Sequence, residues 1–303
     1  MPAPRPLPPS TPPAFAVRDA PTLGIPRPRL RRSDLVTPFR GARTTTPPRE
    51  VVELCLAALP VLRADAFICG PTAARLWEIP LPRRIQQQTQ LHVGHPHRVR
   101  PSRLAGVVGH HFVITPAELT SLSGIPVTTP ARTWCDLAGT LSLEELVAAG
   151  DRLIWSRAPL ATLGEIAALA DVHPGRRWRA DRRAALAMLS PDADSPAEST
   201  LRIRFRAAGL PRVTPNLEVQ RPDGGRARID LAFEDQRVGV EYEGDHHRVE
   251  RGQWRHDLRR MSALEDAGWS MIRATGDDLI SSAELIERVA GRLRGRGWHA
   301  ARP

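Results

Sequence analysis

The stretch at residues 228–247, RIDLAFEDQRVGVEYEGDHH, constrains the fold more than any other. Two apolar runs flank a short polar connection at Glu234, Asp235 and Gln236. In the second run Val238, Val240 and Tyr242 alternate with Arg237, Gly239, Glu241 and Glu243, the two-residue period of a half-buried strand. A β-hairpin is the simplest reading. Residues two apart on a strand share a face, so Glu241 and Glu243 share one. A register that sets Asp230 opposite them gathers three carboxylates. Such a cluster is costly unless positive charge sits inside it. A divalent cation is the usual answer, and oxygen-only ligands suit Mg2+ or Mn2+.

An Asp on one strand followed by Glu-x-acid-Gly-x-x-His on the next, here Asp230 and then Glu241 to His247, resembles the PD-(D/E)XK nuclease superfamily. Within it the likeness is to domains related to very-short-patch-repair endonucleases. Further pieces follow in order. Glu198 lies on the helix before the strands. Asp257 and Arg260 form a D-x-x-R-x-x-x-L run ending at Leu264, and GWSMIRA at 268–274 looks like the last core strand, carrying Arg273. The resemblance covers residues 195–303. It implies an α/β, restriction-endonuclease-like mixed sheet flanked by helices. It also implies Mg2+ (or Mn2+) held by Asp230 and Glu241, and DNA as the partner. Glu198, Glu243, His246 and His247 complete the implied catalytic group. Arg228, Arg260 and Arg273 are the expected DNA contacts, with Asp257 and Trp254 supporting the site.

The sequence departs from the superfamily pattern at position 243, which is Glu where Lys is usual. The chain has no Lys at all, so its 43 basic residues are all Arg. The repair-endonuclease branch also lacks that Lys and uses a nearby histidine, a role open to His246 or His247. The Cys-rich zinc site of those repair enzymes does not carry over, because the last cysteine is Cys135. Plainer readings stand beside these. Ser195, Pro196 and Glu198 fit N-cap, N1 and N3 of a helix, and Asp257 with Arg260 fits a surface ion pair. Trp254, Leu258, Met261 and Leu264 recur at helical spacing and suit packing on a sheet.

The N-terminal part reads differently. Residues 1–48 hold 13 of the 30 prolines, which predicts a disordered or extended Pro/Arg-rich arm. Residues 49–190 read as a separate mixed α+β domain. Helices are expected near 49–59, 70–80 and 129–139, and strands at 90–93 and 106–114. Capping-box pairs at Ser142/Glu145 and Thr162/Glu165 open two more helices. GPTAARLWEIPLP, then GIPVTTPARTWCDLA, then a helical segment resemble the middle region of AbiEi-type antitoxin-like proteins common in actinobacteria. His92, His95, His97, His110 and His111 invite a metal reading. No Cys or acid accompanies them at ligand spacing, so strand-edge and loop histidines are the plainer reading. SPDADSP at 190–196 sets the expected domain boundary, with the nuclease-like domain at 195–303.

The formal net charge of +10 favours a polyanionic partner, while an all-Arg, Pro-rich composition also fits a GC-rich genome. Three cysteines without metal-like spacing suit a reducing cytoplasm. No apolar run approaches the ~18 residues of a membrane span. The sequence therefore favours a metal-dependent DNA endonuclease or nickase, in repair or phage defence. The alternative keeps the fold as a scaffold with degraded chemistry: a DNA-binding or antitoxin-like protein of an abortive-infection system, paired with a toxin or defence protein.

Overall fold

In the computed structural model the described residues are 5–97, 100–221, 224–244 and 261–300. The chain divides into two compact units, residues 1–139 with 168–176, and residues 140–167 with 177–303.

In the first unit, β1 (Ala14–Ala16) pairs antiparallel with β2 (Ala42–Thr44). The segment between them is folded, which corrects the expected arm. Phe15, Ala20, Ile25, Leu30 and Leu35 close into a buried cluster. The nearly buried Arg29 is neutralised by a two-pronged bond to Asp34, at 2.8 and 2.5 Å, and donates to the Arg5 carbonyl. Proline fixes φ and removes a donor, which suits turns and short 3-10 pieces as well as solvated chain. The spaced apolar residues decide the outcome.

A five-stranded sheet follows, in the order β5-β4-β3-β7-β6. Its strands are β3 (Phe67–Ile68), β4 (Leu91–Pro96), β5 (Val107–Phe112), β6 (Leu119–Leu122) and β7 (Ile125–Thr128). Around it lie α1 (Val51–Ala58), α2 (Gly70–Leu76), α3 (Arg83–Gln86) and α4 (Pro130–Leu137). Thr129 caps α4 by accepting the Arg132 N–H. The expected strands and helices of this region are present, so it is mixed α and β.

The second unit opens with α5 (Leu143–Leu153), capped by the reciprocal Ser142–Glu145 pair, and α6 (Leu163–Val172), whose residues 168–172 count with the first unit. It continues with α7 (Arg179–Leu186) and α8 (Pro196–Ala207). Then comes a four-stranded mixed sheet ordered β11-β10-β9-β8, built from β8 (Thr214–Gln220), β9 (Arg226–Phe233), β10 (Val238–Tyr242) and β11 (Ser270–Ala274). α9 (Gly276–Ile280) and α10 (Ala283–Arg294) close the unit. β9 and β10 form the expected hairpin, and β10 pairs parallel with β11.

One face of this sheet packs Leu231, Phe233, Val238, Val240 and Ile272 against Leu201 and Phe205 of α8 and Leu285, Val289 and Leu293 of α10. The other face packs Ala227, Ile229 and Ala232 against Leu264 and Trp269. Helices on both faces of a sheet make this unit an α/β layered fold.

The domain boundary expected at 190–195 falls elsewhere. Helix α5 belongs with α8: the buried Asp151 accepts from the Ser199 hydroxyl at 2.7 Å, from Arg202 at 2.6 Å and from the Ser190 N–H at 2.7 Å. The Pro- and Asp-rich stretch is thus a packed corner. Its Asp194 accepts from the Trp155 indole at 2.9 Å and from Arg157 at 2.8 Å.

Candidate functional site

Asp230 and Glu241 lie at neighbouring positions on adjacent strands of the second sheet. Pairs Pro215↔Leu231 and Leu217↔Ile229 bracket Asn216 opposite Asp230. Val240↔Leu231 is the last pair of the next ladder, and Glu241 and Asp230 are the residues that follow it, one on each strand. Glu241 in turn pairs with Arg273 on β11. Asn216, Asp230, Glu241 and Arg273 therefore occupy neighbouring positions on the four strands. Gly239, one pair away, has no room for a side chain, since a Cβ there would sit 2.6 Å from the Met271 sulfur and 2.9 Å from Ile229 Cγ2.

The strand alternation breaks at these positions. On β9, Ala227 and Ile229 point into the cluster with Trp269, but Leu231 and Phe233 point into the cluster with α8 and α10. A regular strand would keep all four on one face. The break coincides with Asn216, whose backbone is left-handed at φ +52°. At the same point Asp230 Oδ2 accepts the Tyr242 N–H at 3.0 Å, so its carboxylate reaches the backbone of the neighbouring strand.

Glu241 is nearly buried, with Oε1 sealed from solvent. Glu198, also nearly buried, approaches from α8. It accepts from the Asp194 N–H at 2.9 Å, the Ser195 hydroxyl at 2.7 Å and the Asn216 amide at 2.6 Å, while its own N–H donates to Ser195. Burial pushes the Glu198 carboxyl above the usual range, and the charge of Asp230 adds to that rise. The three hydrogen bonds act in the opposite direction. Glu198 is thus the N-terminal lock of α8 and stands electrostatically against Asp230.

The other expected residues are placed as follows. Glu243 lies past the end of β10, exposed, with its carboxylate 3.0 Å from Arg273 Nε. It does not complete a three-carboxylate cluster with Asp230 and Glu241, because Arg273 draws it aside. Arg228 is half exposed and paired with Asp194 at 2.6 Å. His246, His247, Trp254, Asp257 and Arg260 lie outside the described residues. Among the described residues no group of three or more His, Cys, Asp or Glu side chains has metal-holding geometry. Asn216 and Asp194 went unnoticed in the sequence; the one available signal was an Asn in the middle of an alternating strand run, TPNLEVQ.

The histidines of the first unit do not converge on one point. His92 Nδ1 and His110 Nε2 are 3.0 Å apart on paired strands, with their rings stacked at 5.1 Å. His95, three positions from His92, is fully buried and accepts the Ser102 N–H at 3.2 Å, while His111 is exposed. His173 bonds Asp136 at 2.9 Å, and Asp136 also receives Arg132, which pairs with Glu118. These contacts form a structural polar network.

No family model matches the chain. It is 28% identical over 243 residues to the uncharacterised proteins Rv2248 and MT2308 of two Mycobacterium tuberculosis strains, covering 80% of this chain and 83% of each of those. A crystal structure of the Rv2827c protein of Mycobacterium tuberculosis aligns with a TM-score of 0.39 at 19% identity, covering 70% of this chain and 85% of that one. Among the described residues no helix is long and apolar enough to cross a membrane.

Proposed function

We propose that the second unit is a metal-dependent DNA endonuclease or nickase of the PD-(D/E)XK type. The observation that carries this reading is that Asp230 and Glu241 both adjoin Val240↔Leu231, the last pair of the β9–β10 ladder, on the hairpin whose sequence resembles that superfamily. The donor set fits Mg2+ or Mn2+: two carboxylates suffice for a hard cation that keeps waters and takes the rest of its ligands from phosphate. It does not suit zinc, which wants nitrogen or sulfur.

A bound cation supplies positive charge against the phosphorane and eases deprotonation of the attacking water. The chain's own residues do the rest. Asp230 and Glu241 hold the cation from adjacent strands. Asp230 is oriented by the Tyr242 N–H. Arg273 offsets the extra charge of Glu243, the residue that stands where the superfamily has Lys. His247, or His246 beside it, is the proton donor for the leaving 3′ oxygen.

Plasmid nicking by the full chain with Mg2+ or Mn2+, beside Asp230→Ala and Glu241→Ala, tests the reading. Metal-dependent nicking lost in both variants supports it. No cleavage of supercoiled, single-stranded or mismatched DNA by the wild type refutes it.

A second reading keeps the fold without the chemistry, as a DNA-binding or antitoxin-like protein. The pairing of Arg228 with Asp194 and of Arg273 with Glu243 favours its antitoxin-like form, since arginines already neutralised are weaker phosphate contacts. Salt-sensitive DNA binding that is indifferent to metal distinguishes this case. An antitoxin that binds only a toxin or defence protein shows neither nicking nor DNA affinity.

A further inference from the structure

Four residues other than glycine have a left-handed backbone among those described: Glu78, Ser123, Asn216 and Arg237. Three of them sit in turns; Asn216 alone lies inside a strand. Asn is among the few residues that adopt this conformation at modest cost, and strain of this kind persists only where the surroundings enforce it. Here the side chain is tied down. Its Nδ2 donates to the Asp192 carbonyl and to Glu198 Oε2, both at 2.6 Å. Two acceptors on one atom identify it as the nitrogen, so the other amide atom is the oxygen. That Oδ1 is sealed from solvent and has no hydrogen-bond partner.

The site of the strain matters. Asn216 stands opposite Asp230, where β9 changes facing, and on its own segment Val213 packs with α8 and α10 while Leu217 and Val219 pack with Trp269. We propose that Asn216 is a positioning residue for Asp230. Its left-handed turn, held by Glu198 and the Asp192 carbonyl, puts the step into β8 that β9 must follow. That step turns the Asp230 carboxylate toward β10, where it takes the Tyr242 N–H and lies beside Glu241. Glu198 thereby acts through Asn216 instead of binding a cation directly: three of its lone-pair sites are already filled by Asp194, Ser195 and Asn216.

This inference deepens the nuclease reading, and its test separates the two. Asn216→Ala removes the amide and disfavours the left-handed backbone. Asn216→Gly removes the amide and keeps the backbone free. In the full chain, amide hydrogen exchange at Tyr242 reports the Asp230 bond with no metal or DNA present. Exchange at Tyr242 accelerates in both variants, while the Val219 and Val240 amides keep their protection. Affinity for Mn2+, measured by calorimetry, falls about tenfold or more in both, the usual effect of losing an outer-shell partner. Tyr242 protection unchanged in both variants overturns the proposal. So does a loss spread evenly over Val219 and Val240, the mark of general loosening. A wild-type protein that neither binds Mn2+ nor nicks DNA counts against the nuclease reading alone, because the Tyr242 amide still decides the role of Asn216.

Discussion

The stacked pair His92 and His110 makes the first unit sensitive to acid in a way that can be worked through. The His92 ring is half-buried between paired strands and bonded to His110, and burial, then the neighbouring ring, lowers its pKa from 6.5 to about 4. Burial lowers His110 as well, while Asp136 opposes that shift. Thr72 on α2 binds the His92 backbone N–H and brings no charge. A folded pKa below the unfolded one means that the unfolded chain takes up the proton first. Stability from this group is therefore complete above about pH 6.5 and drains away as the pH falls toward 4. Linkage gives a loss of about 1 kcal/mol at pH 5.5 and about 2–3 kcal/mol at pH 4.5. Other groups titrate too, so the assay is a difference. Urea unfolding of wild type and His92→Gln is compared at pH 7 and pH 4.5; Gln keeps a hydrogen bond to His110 and carries no proton equilibrium. The wild type should lose about 2 kcal/mol more than the variant over that interval. Equal losses, or an imidazole titration of His92 by NMR near 6.5, would refute the argument.

Three further outcomes follow from the packing. Phe15→Ala should cost about 3 kcal/mol in urea unfolding if the N-terminal segment is core, and nothing measurable if it were a solvated arm. Asp151→Ala strands Arg202 among buried groups and should lower stability by about 3–5 kcal/mol, whereas Asp151→Asn, which keeps an acceptor oxygen for the Ser190 N–H and can donate its amide to the Ser199 hydroxyl, should cost less. Asp230→Ala should cut metal-dependent nicking at least about a hundredfold while costing only about 1 kcal/mol of stability for the lost Tyr242 bond, so circular dichroism and cleavage should part company.

Local signals were legible in the sequence. The hairpin at β9 and β10 follows from two-residue alternation, and the caps at Ser142 and Ser195 follow from Ser-x-x-Glu spacing; all appear as read. Most of what escaped depends on contacts distant in sequence, with one local exception. The β6–β7 hairpin rests on Ser123 and Gly124, both left-handed, in a two-residue turn whose Ser-Gly pair is easily passed over. Proline content hid the core of the first 48 residues, and a Pro-Asp-Ser-rich corner imitated a linker because its anchor, Asp151, lies some 40 residues earlier. The acidic site was half legible. Asp230 and Glu241 follow from period and register, but the withdrawal of Glu243 needs Arg273, which arrives on β11.

That late arrival has a consequence for the nascent chain. Strand β10 is central, held on one side by its hairpin partner and on the other by the parallel β11. Parallel pairing closes a long loop before it is rewarded, so it forms slowly relative to the hairpin. During synthesis, β8, β9 and β10 leave the ribosome as a three-stranded antiparallel sheet, and one edge of β10 stays open until residues 270–274 emerge. The site around Asp230 and Glu241 therefore matures only after most of the protein has been made. Until then the exposed edge of β10 is where an incomplete chain is most prone to pair with another copy.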